Sequence, residues 1–111
     1  MNWIINNVRK YFDKYFVPTR ADIFALQRLA SLKVGYLPAS VSSMRPAAIN
    51  LALNDIVVNQ RSTIVELGSG ISTVYVASLL KEINRGNFIT IEHDIEWAQV
   101  VESILARNGL S

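Results

Sequence analysis

The run Ile64-Val65-Glu66-Leu67-Gly68-Ser69-Gly70-Ile71-Ser72-Thr73 constrains this chain more than any other. A β-branched, apolar segment leads into two glycines one residue apart, and a helical pattern starts directly after them. Glycine turns the backbone tightly and lets a ligand approach it, and the first turn of a helix offers N–H groups with no partner inside the helix. A second β-type segment, Asn87-Phe88-Ile89-Thr90-Ile91, follows and ends in Glu92-His93-Asp94. An acid at the carboxyl end of the neighbouring strand is suited to holding ribose hydroxyls. The expectation is a site for a nucleotide-type cofactor built on β-α-β.

Both β-type segments show little alternation, as expected of strands covered on both faces. The spacing predicts strands at Thr63-Ile64-Val65 and Phe88–Ile91, a helix from Thr73 to Arg85 stopped by Arg85-Gly86-Asn87, and a helix after Asp94 as its cap. That last helix carries Trp97, Val100, Val101, Ile104 and Leu105 and ends at Asn108-Gly109.

Ahead of this unit the period is helical. Trp3, Ile4, Val8, Tyr11, Phe12, Tyr15 and Phe16 form one stripe, closed by Val17-Pro18. Thr19 with Asp22 marks the start of a second helix, with Ile23, Phe24, Leu26, Ala30 and Leu32 as its apolar face. A third runs from about Met44-Arg45-Pro46 to Val58, with Ser43 as N-cap and Ala48, Ile49, Ala52, Leu53, Ile56 and Val57 on its apolar stripe. The fold class is therefore α/β: three N-terminal helices in residues 1–60, then a β-α-β-α unit in residues 61–111.

Composition removes several function classes. A net charge of +2 with eleven scattered Lys and Arg gives no nucleic-acid footprint. The chain has no cysteine, which excludes a disulfide framework or a thiolate metal site, and its lone histidine, His93, argues against a protein-built zinc site. The absence of cysteine fits a reducing, cytoplasmic setting. The N-terminus lacks the pattern of a secretory signal, and no uncharged apolar run approaches the ~20 residues needed to span a bilayer. The amphipathic segment from Asn2 to Phe16 carries Arg9, Lys10 and Lys14 on its polar side, and packing on the body of the protein explains it better than a membrane surface.

The flanks of the glycine turn narrow the cofactor. A dinucleotide fingerprint requires glycine at position 73, where this chain has threonine, and a pyrophosphate disfavours a carboxylate such as Glu66 close by. A cofactor with a cationic end tolerates that charge. Glu66-Leu67-Gly68-Ser69-Gly70-Ile71-Ser72 resembles the first motif of class I S-adenosyl-L-methionine-dependent methyltransferases, departing from it at Ser72, where glycine is usual. Ile91-Glu92-His93-Asp94 with Glu96-Trp97 resembles the second motif of that superfamily. The likeness spans roughly residues 61–110 and implies a Rossmann-like parent fold that binds S-adenosylmethionine.

Carried over residue by residue, the resemblance implies that Glu66, Gly68, Ser69, Gly70 and Ser72 line the methionine end of the cofactor. It further implies that Glu92 accepts hydrogen bonds from the ribose diol and that His93 lies near the adenine edge. Asp94 is sufficiently explained as a helix cap. Ser40, Ser42, Ser43 and Arg45 lie in a loop that ordinary turn and capping chemistry explains, although contact with the methionine carboxylate is the functional alternative. In the parent family the acceptor pocket follows the fourth strand, so no catalytic residue or methyl acceptor is assigned.

On this reading the chain stops after the front half of a cofactor-binding unit and is inactive alone. Its two-stranded sheet has open edges, which implies self-association, most simply as a twofold dimer. A non-catalytic association domain and a nicotinamide-dinucleotide fragment are the alternatives.

Overall fold

The computed structural model describes residues 19–39 and 43–110. They form helix α1 (Arg20–Leu29) with a 3-10 turn at Ala30–Leu32, α2 (Pro46–Val58), strand β1 (Thr63–Leu67), α3 (Ile71–Ile83), β2 (Asn87–Ile91) and α4 (Ile95–Arg107). The helical stripe expected from Trp3 to Phe16, with Ser40 and Ser42, lies outside the described residues. The architecture is α/β, and β1 and β2 pair in parallel, with Thr63 opposite Asn87 and Leu67 opposite Ile91.

Each helix begins for a local reason. At α1, Thr19 and Asp22 form a reciprocal capping box: the Asp22 N–H donates to Thr19 Oγ1 at 3.1 Å, and the Thr19 N–H donates to Asp22 Oδ2 at 3.0 Å. Asp94 caps α4 by accepting the Trp97 N–H at 3.1 Å. At α2 the expectation of a Ser43 cap is corrected. Arg45 is the N-cap residue, no side chain of its own caps the helix, and Pro46 occupies the first turn. Asp22 supplies the missing acceptor from another helix, taking the Ala47 N–H on Oδ1 at 3.1 Å.

Asp22 is thus a buried junction. Its Oδ2 also accepts from Arg45 Nε at 3.0 Å and Nη2 at 2.6 Å. The Arg45 guanidinium, together with the Thr19 and Ala47 N–H groups, holds this carboxyl well below the usual carboxylate range. One side chain therefore fixes the entry angle of two helices.

The apolar face expected for α1 is also corrected. Ile23, Phe24 and Leu26 are about half exposed or more, and Asp22, Ala25 and Leu29 turn inward. The three- then four-residue spacing from Asp22, tied to Arg45, sets the rotation of the helix against the pull of its larger side chains. Leu29 then joins Ile49, Leu53 and Ile56 of α2 and Val76 and Leu80 of α3 in the main core, with Ile64 and Phe88 packed on it from the sheet. A second cluster of Val34, Val74 and Ile104 joins α3 to α4. The N-terminal helices and the β-α-β-α unit consequently share one core.

β1 extends further than its β-branched centre suggested, to Leu67, β2 spans Asn87–Ile91, and α3 starts at Ile71 and ends at Ile83. Asn84, in the left-handed conformation, stops α3 one residue before the Arg85-Gly86-Asn87 signal. The larger correction concerns the sheet faces. Among the described residues only one face is covered: Ile64, Glu66, Phe88 and Thr90 point toward the helices, whereas Val65, Leu67, Ile89 and Ile91 are exposed. Continuous apolar strands did not guarantee cover on both sides.

Candidate functional site

The carboxyl ends of β1 and β2 meet at the glycine turn. Gly68 leaves the strand at φ +86°, a left-handed value that disfavours any side chain, while its N–H still donates to the Ile91 carbonyl at 2.8 Å. The turn is thereby hydrogen-bonded to the end of the second strand. Gly70 is the N-cap of α3 and has an extended backbone open to any residue. A Cβ built there meets nothing within 4 Å, as at Gly68.

A cleft of about 260 Å³ opens beside this turn. Glu66, Gly68, Ser69, Gly70 and Ser72 line it, so five of the seven residues expected at the site come together. Ser43, Met44, Leu67, Ile71 and Trp97 complete its walls. The other two behave differently. Glu92 stands behind the turn, and His93 is almost fully exposed, with Nδ1 3.6 Å from Glu92 Oε2.

Glu92 ties the two strand ends together. Its Oε1 accepts from both the N–H and the hydroxyl of Ser69, each at 2.8 Å. Its Oε2 accepts the Asp94 N–H at 3.1 Å. These bonds, those from Ser69 foremost, pull its carboxyl down from 4.5 to about 2, so it is an anion throughout the neutral range. Charge-assisted bonds of this kind are the strong ones, and they hold the turn's central peptide in place.

Glu66 is organised by hydroxyls. Ser72 donates to its Oε2 at 2.5 Å, and Thr73 Oγ1 donates to Oε1 at very short range. Thr73 Oγ1 also accepts the Gly70 N–H at 3.0 Å. The two residues that break a glycine-rich fingerprint, Ser72 and Thr73, thus fasten the strand-end acid to the helix start. A glycine at either position would leave that carboxylate without one of these donors.

Trp97 is the residue that the sequence did not mark as part of the site. It read as an apolar member of α4, yet its indole N–H donates to the Ser69 carbonyl at 2.7 Å and its ring walls the cleft. The available signals were its place in the segment resembling the second motif and its position three residues after the Asp94 cap, which brings it back over the strand ends. Arg45, considered for a ligand carboxylate, is directed to Asp22. Ser43 reaches the cleft wall.

Among the described residues no three His, Cys, Asp or Glu side chains gather as a metal site, and no helix is long and apolar enough to cross a membrane. Comparison with protein-family models, curated proteins and solved structures finds no match to this chain.

Proposed function

We propose that this chain forms the cofactor-binding half of a class I methyltransferase unit of Rossmann-like topology, with S-adenosylmethionine as its cofactor. The observation that carries the reading is the joining of the two strand ends: Glu92 holds Ser69 in the glycine turn, beside a cleft into which Gly70 projects no side chain. The cleft, at about 260 Å³, suits one end of a nucleotide-type molecule and not the whole of it. Its acid, Glu66, favours a cationic end, and the donors at the start of α3 lie next to it.

Such a cofactor supplies an electrophilic methyl group for in-line transfer to a nucleophile. The residues described here would bind and orient: Glu66 would face the ammonium-bearing end, and Glu92 would offer the remaining lone pairs of its carboxylate to ribose hydroxyls. No acceptor pocket and no base are assigned among the described residues.

Calorimetric titration with S-adenosylhomocysteine tests this reading. Gly70→Val should abolish binding without unfolding the chain, since its backbone is extended and the space around it open. Glu92→Ala should weaken binding about tenfold or more, by loss of charge-assisted bonds. Equal affinity in both variants and the parent chain would remove the hypothesis, as would tighter binding of NAD than of S-adenosylhomocysteine.

One observation favours a second reading. Among the described residues the sheet face of Val65, Leu67, Ile89 and Ile91 is uncovered, an apolar surface of the type that marks association, and a role in assembly without catalysis accounts for it directly.

A further inference from the structure

β1 has one edge paired with β2 and one edge free among the described residues. The Ser62 carbonyl and the Gly68 N–H bond to β2, at 2.8 Å each, and backbone groups alternate sides along a strand. The even-numbered residues of β1 therefore face β2. Thr63, Val65 and Leu67 direct their N–H and C=O groups the other way, to the free edge. That edge carries none of the usual protection: Thr63–Leu67 contains no proline or lysine, and its single charge, Glu66, is held back by Ser72 and Thr73.

We propose that this edge pairs antiparallel with β1 of a second copy about a twofold axis, with Val65 opposite the partner's Val65. The register is self-complementary. Thr63 then faces the partner's Leu67, and three outward residues from each copy form about six N–H···O=C bonds. Identical edges meet in this way only when antiparallel, which is the geometry that a closed twofold dimer requires.

The surroundings of the edge fit a strand. A groove of about 480 Å³ runs along it on the helix side, floored by Ile49, Ala52, Ile56 and Val76. An added strand brings its Ile64 and Glu66 to the helix side at the rim of that groove, each still held by its own copy's core and helix start. The outer edge of β2 offers two outward residues, Phe88 and Thr90, where β1 offers three, so β1 is the better template. The pairing is independent of any cofactor.

Light scattering after size exclusion, on the 111-residue chain at tens of micromolar, reads the result. The parent chain should be a dimer. Val65→Pro removes an outward N–H and no β1–β2 bond, and it should give a monomer with an unchanged helical circular dichroism signal. Ile89→Lys charges the bare face of β2 and should leave the dimer intact. Hydrogen exchange on the parent chain provides a reading that needs no variant: the Val65 and Leu67 amides should become slower to exchange as concentration rises. A folded monomeric parent chain overturns the proposal. So does a dimer that Ile89→Lys dissolves and Val65→Pro does not, or exchange at those two amides that is independent of concentration.

Discussion

On one side of the β1–β2 sheet, Ile64 and Phe88 pack on a core that three helices share; on the other, Val65, Leu67, Ile89 and Ile91 meet no described element. Two of the four covered residues, Glu66 and Thr90, are polar, whereas the exposed Val65, Leu67, Ile89 and Ile91 are all apolar. Side-chain chemistry alone therefore does not decide which face is buried. The crossover helix α3 and its neighbours occupy one side, and the pleat then assigns every second residue to it. The covered side also holds Glu66 and Thr90, because the helix start brings Ser72 and Thr73 within reach of the acid.

The sharpest test of this contrast compares one substitution from each region. Ile49→Ala, in the helix-side core, should cost about 2–5 kcal/mol in denaturant unfolding, as for other large-to-small changes at buried positions. Leu67→Ala, on the bare side where Leu67 is 82% exposed, should stay within about 0.5 kcal/mol. A large loss at Leu67 would mean that the bare face is covered in solution.

A smaller effect separates the two glycines of the turn. Gly68→Ala forces a side chain into a left-handed backbone and should destabilise by about 1 kcal/mol. Gly70→Ala should be close to neutral for stability, since its conformation is extended and its Cβ position open. Thermal unfolding of both variants checks this, and equal losses would place the turn in a different geometry.

Between pH 7 and about 5 the acids give the smallest effect, since both are already ionised there. Glu92 has its carboxyl lowered from 4.5 to about 2 in the folded chain, so its contribution to stability is complete above pH 4.5 and is lost as pH falls toward 2. Asp22, lowered in the same direction by Arg45, adds to the loss at the acid end. Unfolding midpoints should therefore be flat in these groups from pH 7 to about 5 and drop below that. Glu92→Gln should reduce the slope of the acid limb and lower the midpoint at pH 7, because the neutral amide loses the charge-assisted bonds and its NH2 cannot accept from Ser69 or Asp94. An acid limb of unchanged slope in that variant would mean that Glu92 does not hold the turn.

Much of the architecture was legible in the chain. The Thr19–Asp22 box and the Asp94 cap are interactions between residues three apart, and sequence spacing alone specifies them. The positions of both strands and of the helix between them followed from β-branched runs set against a 3.6-residue period. The candidate site was partly legible for the same reason: Glu66, Gly68, Ser69, Gly70 and Ser72 are neighbours along the backbone, so a local motif brings them to one cleft.

What depended on the tertiary structure is the set of contacts between distant residues. Asp22 satisfies α2 from α1, twenty-five residues away from Ala47, and no local rule selects it over Ser43. It also rotates α1 so that Ile23, Phe24 and Leu26 face outward. Trp97 reaches Ser69, and Glu92 reaches the same residue, only because parallel pairing in register brings the ends of β1 and β2 side by side. The sequence determined which segments are helix, strand and turn, because those choices are governed by backbone geometry within a few residues. Which apolar face is covered, which acid caps which helix and which indole walls the cleft were decided by packing, since each requires two segments to compete for the same partner in space.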